Sequence, residues 1–277
     1  MVELAELLDP GQEVVFNTLF LDPYLWGLHL GRTRAVQRAR RAGAPICGVT
    51  ISAGIPPVDE AVELLDELAE LGMWCNAFKP GTHAQVRQVA AIAEAAPQHT
   101  VMVHVEGGQA GGHHSWVELD DLLLGGYREL RRHDNVVLCA GGGVGDPARA
   151  AELLSGRWSL RHVDVAMPVD AVLIGTAAMA AAEATATPSV KSALVGAHGT
   201  AHRVVRGDIA GGVTSGRSGL DADIHFLDNS ASRCAALLDE VAGDAAAVEA
   251  RHDEIVDALA ATAKPWFGDV AAMTYEQ

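Results

Sequence analysis

The chain has 277 residues, is 49% hydrophobic, and carries 36 acidic against 20 basic side chains for a formal net charge of -16. That length holds one large domain or two small ones around a sizeable core, and that charge argues against nucleic acid or an anionic membrane surface as a partner. No apolar run reaches the roughly 18 residues a bilayer span needs, and no signal peptide is recognisable. The four cysteines show no CxxC or CxH pairing, so neither a metal site nor a disulfide framework is expected, only buried thiols in a reducing cytoplasm.

Taken in order, short apolar runs alternate with helical patterns. The first strand is EVVFNTLF (13–20), whose exit carries Asn17 and Thr18. GRTRAVQRARR (31–41) is the one basic run and reads as a solvated helix face. PICGVTIS (45–52) is a second strand meeting Ser52 and Gly54, and VDEAVELLDELAELG (58–72) a helix. MWCNAF (73–78) is a third strand exiting into Lys79, Pro80 and Gly81. HAQVRQVAAIAEAA (83–96) sets Val86, Val89, Ala90 and Ile92 near helical spacing. TVMVHVE (100–106) is a fourth strand, running into the glycine- and histidine-rich loop VEGGQAGGHHSW (105–116). A helix over 117–133, a fifth strand NVVLCA (135–140), a helix opened by Asp146 and Pro147, and a sixth strand AVLIGT (171–176) follow.

Strands recurring about every 30 residues with helices between them predict a parallel α/β fold. Beyond about residue 180 the pattern changes to a Gly-rich stretch (207–219) and an Ala-rich helical region (about 230–263). We therefore expect a (β/α) barrel portion over 1–200 and a Gly-rich loop with a helical appendage over 201–277. Each strand exit carries a polar side chain or a glycine, and the carboxyl ends of parallel strands are where such folds place their sites. GGGVGD departs from the dinucleotide-binding G-x-G-x-x-G at its last glycine and follows a late strand. A (β/α)8 barrel holding a phosphate on the loops after its last two strands fits better. Gly142, Gly143, Gly175 and Thr176 would line that phosphate site, with tight turns alone as the alternative. Only six strands are visible, so the expected barrel lacks two strand units.

The stretches FNTLFLDPYLW, AFKPGT, EGGQAGGHHSWVELDDLLL, MPVDAVLIGTAAM, TSGRSGLDADIH and AKPWFGDV together resemble the enoyl reductase region of type I fatty acid synthases, most of all the large actinobacterial chains. More distantly, GGH, AGGG and IGTAAM are similar to the nitronate monooxygenase superfamily. The resemblance implies an FMN-binding (β/α)8 barrel that takes hydride from NADPH or NADH and reduces an enoyl thioester carried on acyl carrier protein. It also implies other fatty acid synthase domains as partners, a homo-oligomer, and a segment cut from a longer polypeptide or a shortened free-standing relative.

Reduction of an enoyl thioester leaves charge on the enolate, and a general acid near neutral pH must protonate the α-carbon. His113 matches the superfamily histidine and is the first candidate; His114 is the second, and a hydrogen-bonded structural role is the alternative for both. His104 and Glu106 lie two apart on a strand and share a face, so Glu106 is placed at the cofactor or against His113, or is a buried charge satisfied by backbone. Lys79 is placed at the polar edge of the flavin, where a cation favours the reduced ring, or else lies extended at the barrel mouth. Asn17 and Ser52 are candidate ring contacts, and Gly112 and its neighbouring glycines allow close approach to a planar group. A flavin oxidase acting on nitronates and a truncated, non-catalytic scaffold segment are the competing readings.

Overall fold

A computed structural model describes residues 4–197, 199, 209–210, 212–217, 223–262, 270–272 and 274. The chain divides into two compact units, Met1–Ala110 with His114–Ala178, and Gly111–His113 with Met179–Gln277.

The strands of the chain are β1 (Val14–Leu19), β2 (Ile46–Ser52), β3 (Ala77–Phe78), β4 (Val101–Glu106), β5 (Gly112–His113), β6 (Val136–Gly141), β7 (Ala171–Val172), β8 (Ile209–Ala210), β9 (Val213–Arg217) and β10 (Asp223–Leu227). In the first unit they form one sheet of order β1-β2-β3-β4-β6-β7, each adjacent pair parallel. A doubly wound sheet reverses its strand order at a switch point. Here the order never reverses, which is the topology of a barrel wall. The six strands match the expected barrel short of two strand units, but among the described residues β1 and β7 do not pair and the sheet is open.

One face of that sheet carries the core. Val101, Val103 and Val105 of β4 and Val136, Leu138 and Ala140 of β6 join a single buried cluster with Leu64, Leu65 and Leu68 of the helix Val58–Glu70, Val89 and Ile92 of the helix His83–Ala95, and Leu122 and Leu123 of the helix Leu119–Leu130. Each such side chain stabilises the fold by about 1.5–3 kcal/mol relative to exposure. The alternate residues, among them His104, Glu106 and Gly141, take no part in that cluster, because side chains alternate across a strand. Helix starts are set locally. Thr82 accepts the Gln85 N–H at 3.2 Å, and Asp146 accepts the Arg149 N–H at 2.9 Å with Pro147 in the first turn.

Two runs are shorter as strands than their sequence suggests. Of MWCNAF only Ala77–Phe78 is regular, because the buried Asn76 side chain takes the Val49 N–H at 3.2 Å and donates to Met73 O at 2.9 Å, replacing a rung of the ladder. Of AVLIGT only Ala171–Val172 is regular, although Leu173 N–H still reaches Ala140 O at 2.9 Å.

The second unit departs further from the sequence reading. The Gly-rich stretch expected as a loop contains β8 and β9, and with β10 and β5 it builds an antiparallel sheet of order β5-β10-β9-β8. Gly212, at φ 81°, makes the turn between β8 and β9. The Ala-rich region is helical as expected, in three helices, Ser230–Val241, Ala245–Ala250 and His252–Ala261. Gly243, at φ 79°, and Arg251, in a non-helical conformation, are the breaks. Of the motif AKPWFGDV only the backbone of Val270 is described, and of TSGRSGLDADIH the residues 218–222 lie outside the described set.

Candidate functional site at the carboxyl edge of the parallel sheet

The register of the first unit aligns its strand ends. Leu19 is level with Ser52, Ile51 with Phe78, Phe78 with Val103, Glu106 with Gly141, and Ala140 with Val172. Asn17, Ser52, Lys79, Glu106, Gly142 and Gly143 therefore occur along one edge of one sheet, and Gly175 and Thr176 follow the last strand at the same edge.

At β1 and β2 the Ser52 hydroxyl donates between Thr18 O at 2.9 Å and Asn17 Oδ1 at 3.0 Å. This orients the Asn17 amide and leaves its N–H donors without a hydrogen bond among the described residues. Two strands on, Lys79 N–H continues the ladder to Ile51 O at 2.9 Å. Its ammonium lies 2.7 Å from Glu106 Oε2, the two side chains being 22% and 14% exposed. Burial raises the Glu106 carboxyl above its usual range, and the lysine opposes that shift. The cation placed at this edge by its strand exit is thus paired with a carboxylate from the next strand.

His104, two residues before Glu106, is 5% exposed. Burial, with a smaller contribution from the Lys79 charge, lowers its pKa to about 4, so the ring is neutral at pH 7. Its Nε2 is buried with no hydrogen-bond partner among the described residues. A Cβ at Gly141 would lie 2.3 Å from that nitrogen, which explains a glycine there without any demand on φ. The sequence placed His104 on the Glu106 face; its missing partner became visible only in three dimensions.

The glycines divide into two kinds. Gly107 N–H donates to Gly141 O at 3.0 Å, and a Cβ at Gly142, itself at φ 91°, would meet the Gly107 backbone at 2.8 Å. A Cβ at Gly107 would meet Leu119 at 2.6 Å, and one at Gly108 would meet Ser115 O at 3.0 Å. These residues let chain approach chain. Gly143, at φ 82°, lies against the Gln109 side chain, which a Cβ there would meet at 2.8 Å. A Cβ at Gly175 would instead have no heavy atom within 4 Å, and both Gly175 and Thr176 are exposed. Thr176 opens the four-residue helix Thr176–Met179.

The two histidines of the loop separate. His114 belongs to the first unit; its Nδ1–H donates to Ser115 O at 2.8 Å and its ring meets Trp116 edge-on at 4.7 Å. Ser115, which the sequence reading did not single out, accepts the Val117 N–H at 2.9 Å and donates its hydroxyl to Gly81 O. It ties the histidine loop to the exit that carries Lys79. Gly112 and His113 instead form β5 of the second unit, paired antiparallel with His225 and Ile224. His113 is exposed, with its backbone held in a sheet rather than in an open loop.

Comparison with known proteins gives these residues a context. Residues 100–277 match the family described as fatty acid synthase subunit beta/Fas1-like, helical. The chain is similar to the fatty acid synthase beta subunit aflB of Emericella nidulans, 30% identical over 100% of this chain and 14% of that protein. It is likewise similar to the fatty acid synthase subunit beta of Aspergillus oryzae, 32% identical over 99% of this chain and 14% of that protein. This chain thus spans about a seventh of the length of these curated relatives. Among solved structures it resembles FabK from Thermotoga maritima, with a TM-score of 0.55 at 19% identity, covering 92% of this chain and 64% of that one. At that identity the likeness is one of fold. The actinobacterial chains and the nitronate monooxygenases rest on motif resemblance alone. Among the described residues no helix is long and apolar enough to cross a membrane.

Proposed function

The chain belongs to the fatty acid synthase subunit beta/Fas1-like family, and on that premise we propose that it is the FMN-binding region that reduces the double bond of an enoyl thioester on acyl carrier protein. The observation that carries this reading is the Lys79–Glu106 pair, 2.7 Å apart, on an edge shared by the ends of six parallel strands. The donors there suit a planar group with a phosphate tail: the half-buried Lys79 ammonium, the Asn17 amide, and the uncrowded turn at Gly175 and Thr176. The chemistry that bound FMN would supply is hydride relay from NADPH or NADH to the β-carbon of the enoyl thioester.

The protein's own groups supply position and protons. Ser52 fixes the Asn17 amide, and Asn17 would bond the polar rim of the ring. Lys79, held by Glu106, would place a positive charge at that rim. Gly142, Gly143, Gly175 and Thr176 would hold the phosphate through backbone N–H groups and the Thr176 hydroxyl. Protonation of the α-carbon is assigned to the histidine loop. Resemblance favours His113; His114 is favoured by its tie through Ser115 to Gly81, two residues beyond Lys79. The other synthase domains would bring the acyl carrier protein, and the assembly would be a homo-oligomer in a reducing cytoplasm.

The test is titration of the full chain with FMN, followed by assay of crotonyl-thioester reduction with NADPH and with NADH. Saturable FMN uptake and nicotinamide-dependent turnover are expected, with a loss of about 10²–10⁴-fold in whichever of His113→Ala and His114→Ala removes the proton donor. Oxygen-dependent consumption of a nitronate without nicotinamide would move the chain to the oxidase reading. A protein that takes up no FMN at any concentration would leave the scaffold reading.

A further inference from the structure

We propose that Cys47 and Cys75 form an intramolecular disulfide site at the amino end of β2. The two residues are 28 apart in sequence, which is about one strand–helix repeat. Just before β3 the chain brings the two backbones together, with Cys75 N–H donating to Cys47 O at 3.0 Å. The backbone of Cys75 lies directly over Gly48, where any Cβ would fall 1.7 Å from Cys75 O. A disulfide requires about 4.4–6.8 Å between Cα atoms, a closeness that a backbone hydrogen bond between the two residues allows. Burial, and after it the charge of Cys75, raises the Cys47 thiol, and the Cys47 Sγ lies 3.5 Å from Val14 O.

The two thiols have unequal access. Cys75 is partly exposed beside the exposed Trp74, and Cys47 is buried behind it. Cys75 is therefore the entry thiol and Cys47 the resolving one. The oxidant is a low-molecular-weight disulfide. The Cys75 thiolate attacks one of its sulfurs and expels one thiolate. Cys47, deprotonated to solvent, then attacks the Cys75 sulfur of the mixed disulfide and expels the second. The protein loses two electrons and two protons, and the reagent leaves as two thiols. Burial raises both thiols above their usual range, so closure accelerates as pH rises. The bridge would close the chain around the helix Val58–Glu70 at the end of β2 opposite Ser52, away from the residues of the proposed site.

The experiment treats the folded full chain with oxidised glutathione, alkylates it in denaturant, and reads its intact mass and peptide map. The expected result is a loss of about 2 Da before alkylation, alkylation of Cys139 and Cys234 only, and one peptide linking Cys47 to Cys75. In Cys47→Ala, a single glutathione adduct should persist on Cys75; in Cys75→Ser, neither bridge nor adduct should form. A stable glutathione adduct on wild-type Cys75, four thiols still alkylated after prolonged exposure, or links to Cys139, Cys234 or a second chain would each overturn the proposal. The wild-type measurement decides alone if circular dichroism shows that a variant has not folded.

Discussion

The two compact units of this chain solve the burial problem differently. The first stacks parallel strands in sequence order and covers one face with helices, so valines of β4 and β6 and leucines of three helices merge into one extended core. The second pairs short antiparallel strands, and its separate buried cluster is Leu237, Val241 and Ile255. Among the described residues both units nevertheless bury polar side chains, His104 in the first and Ser215 and His225 in the second. Each unit must offset its own chain entropy.

Four measurements break or sharpen this contrast. Phe78→Ala, at a fully buried position, should destabilise the first unit by about 3–5 kcal/mol. Leu237→Ala should weaken the second by about 2 kcal/mol. Hydrogen exchange read separately over 101–106 and 230–241 checks both, and equal deprotection of both segments by either variant would mean that the units unfold as one.

The next effect concerns pH. His104 has a folded pKa of about 4 against an ordinary 6.5, so below pH 6.5 the unfolded chain binds a proton that the folded chain refuses. Stability should fall by roughly 2–4 kcal/mol as pH drops through that window. Glu106 slopes the other way, because its raised carboxyl favours folding at low pH and loses that contribution as it ionises. His104→Gln should flatten the acid limb of the urea midpoint against pH; curves that stay parallel would remove His104 from the account.

Smaller still is Lys79→Met, expected to weaken the fold by about 1–3 kcal/mol by leaving the part-buried Glu106 carboxylate unpaired, with Glu106→Gln restoring most of it in the double variant. The smallest is Asn229→Ala, which removes the capping box of the helix Ser230–Val241, and about 1 kcal/mol is expected in urea unfolding of the second unit.

The same contrast explains what the sequence could show. Apolar runs such as VMVHV and VVLCA announce parallel strands because each of their residues is buried or half-buried, and all six runs proved to contain strands. VTSGR and DIHFL announce little. Small polar residues dominate β9, and its partner β10 is recognisable only once the pairing is known. Among site residues, the edge position of Asn17, Ser52, Lys79 and Glu106 followed from strand ends alone. The ion pair did not, since β3 and β4 had first to be placed next to one another. Nor did the meeting of Cys47 and Cys75, or the division of the two adjacent histidines between units, because neither leaves a mark in spacing or composition.

That division has a practical side. With Gly111–His113 serving as an edge strand of the second unit, the backbone passes from one unit to the other after Ala110, after His113 and again after Ala178. The chain is stitched rather than strung like beads. A protease acting after Ala178 would free a 179–277 piece whose β10 has lost the neighbour on one flank, so dissecting this molecule calls for grafting the Gly111–His113 ribbon onto that piece rather than for a single cut.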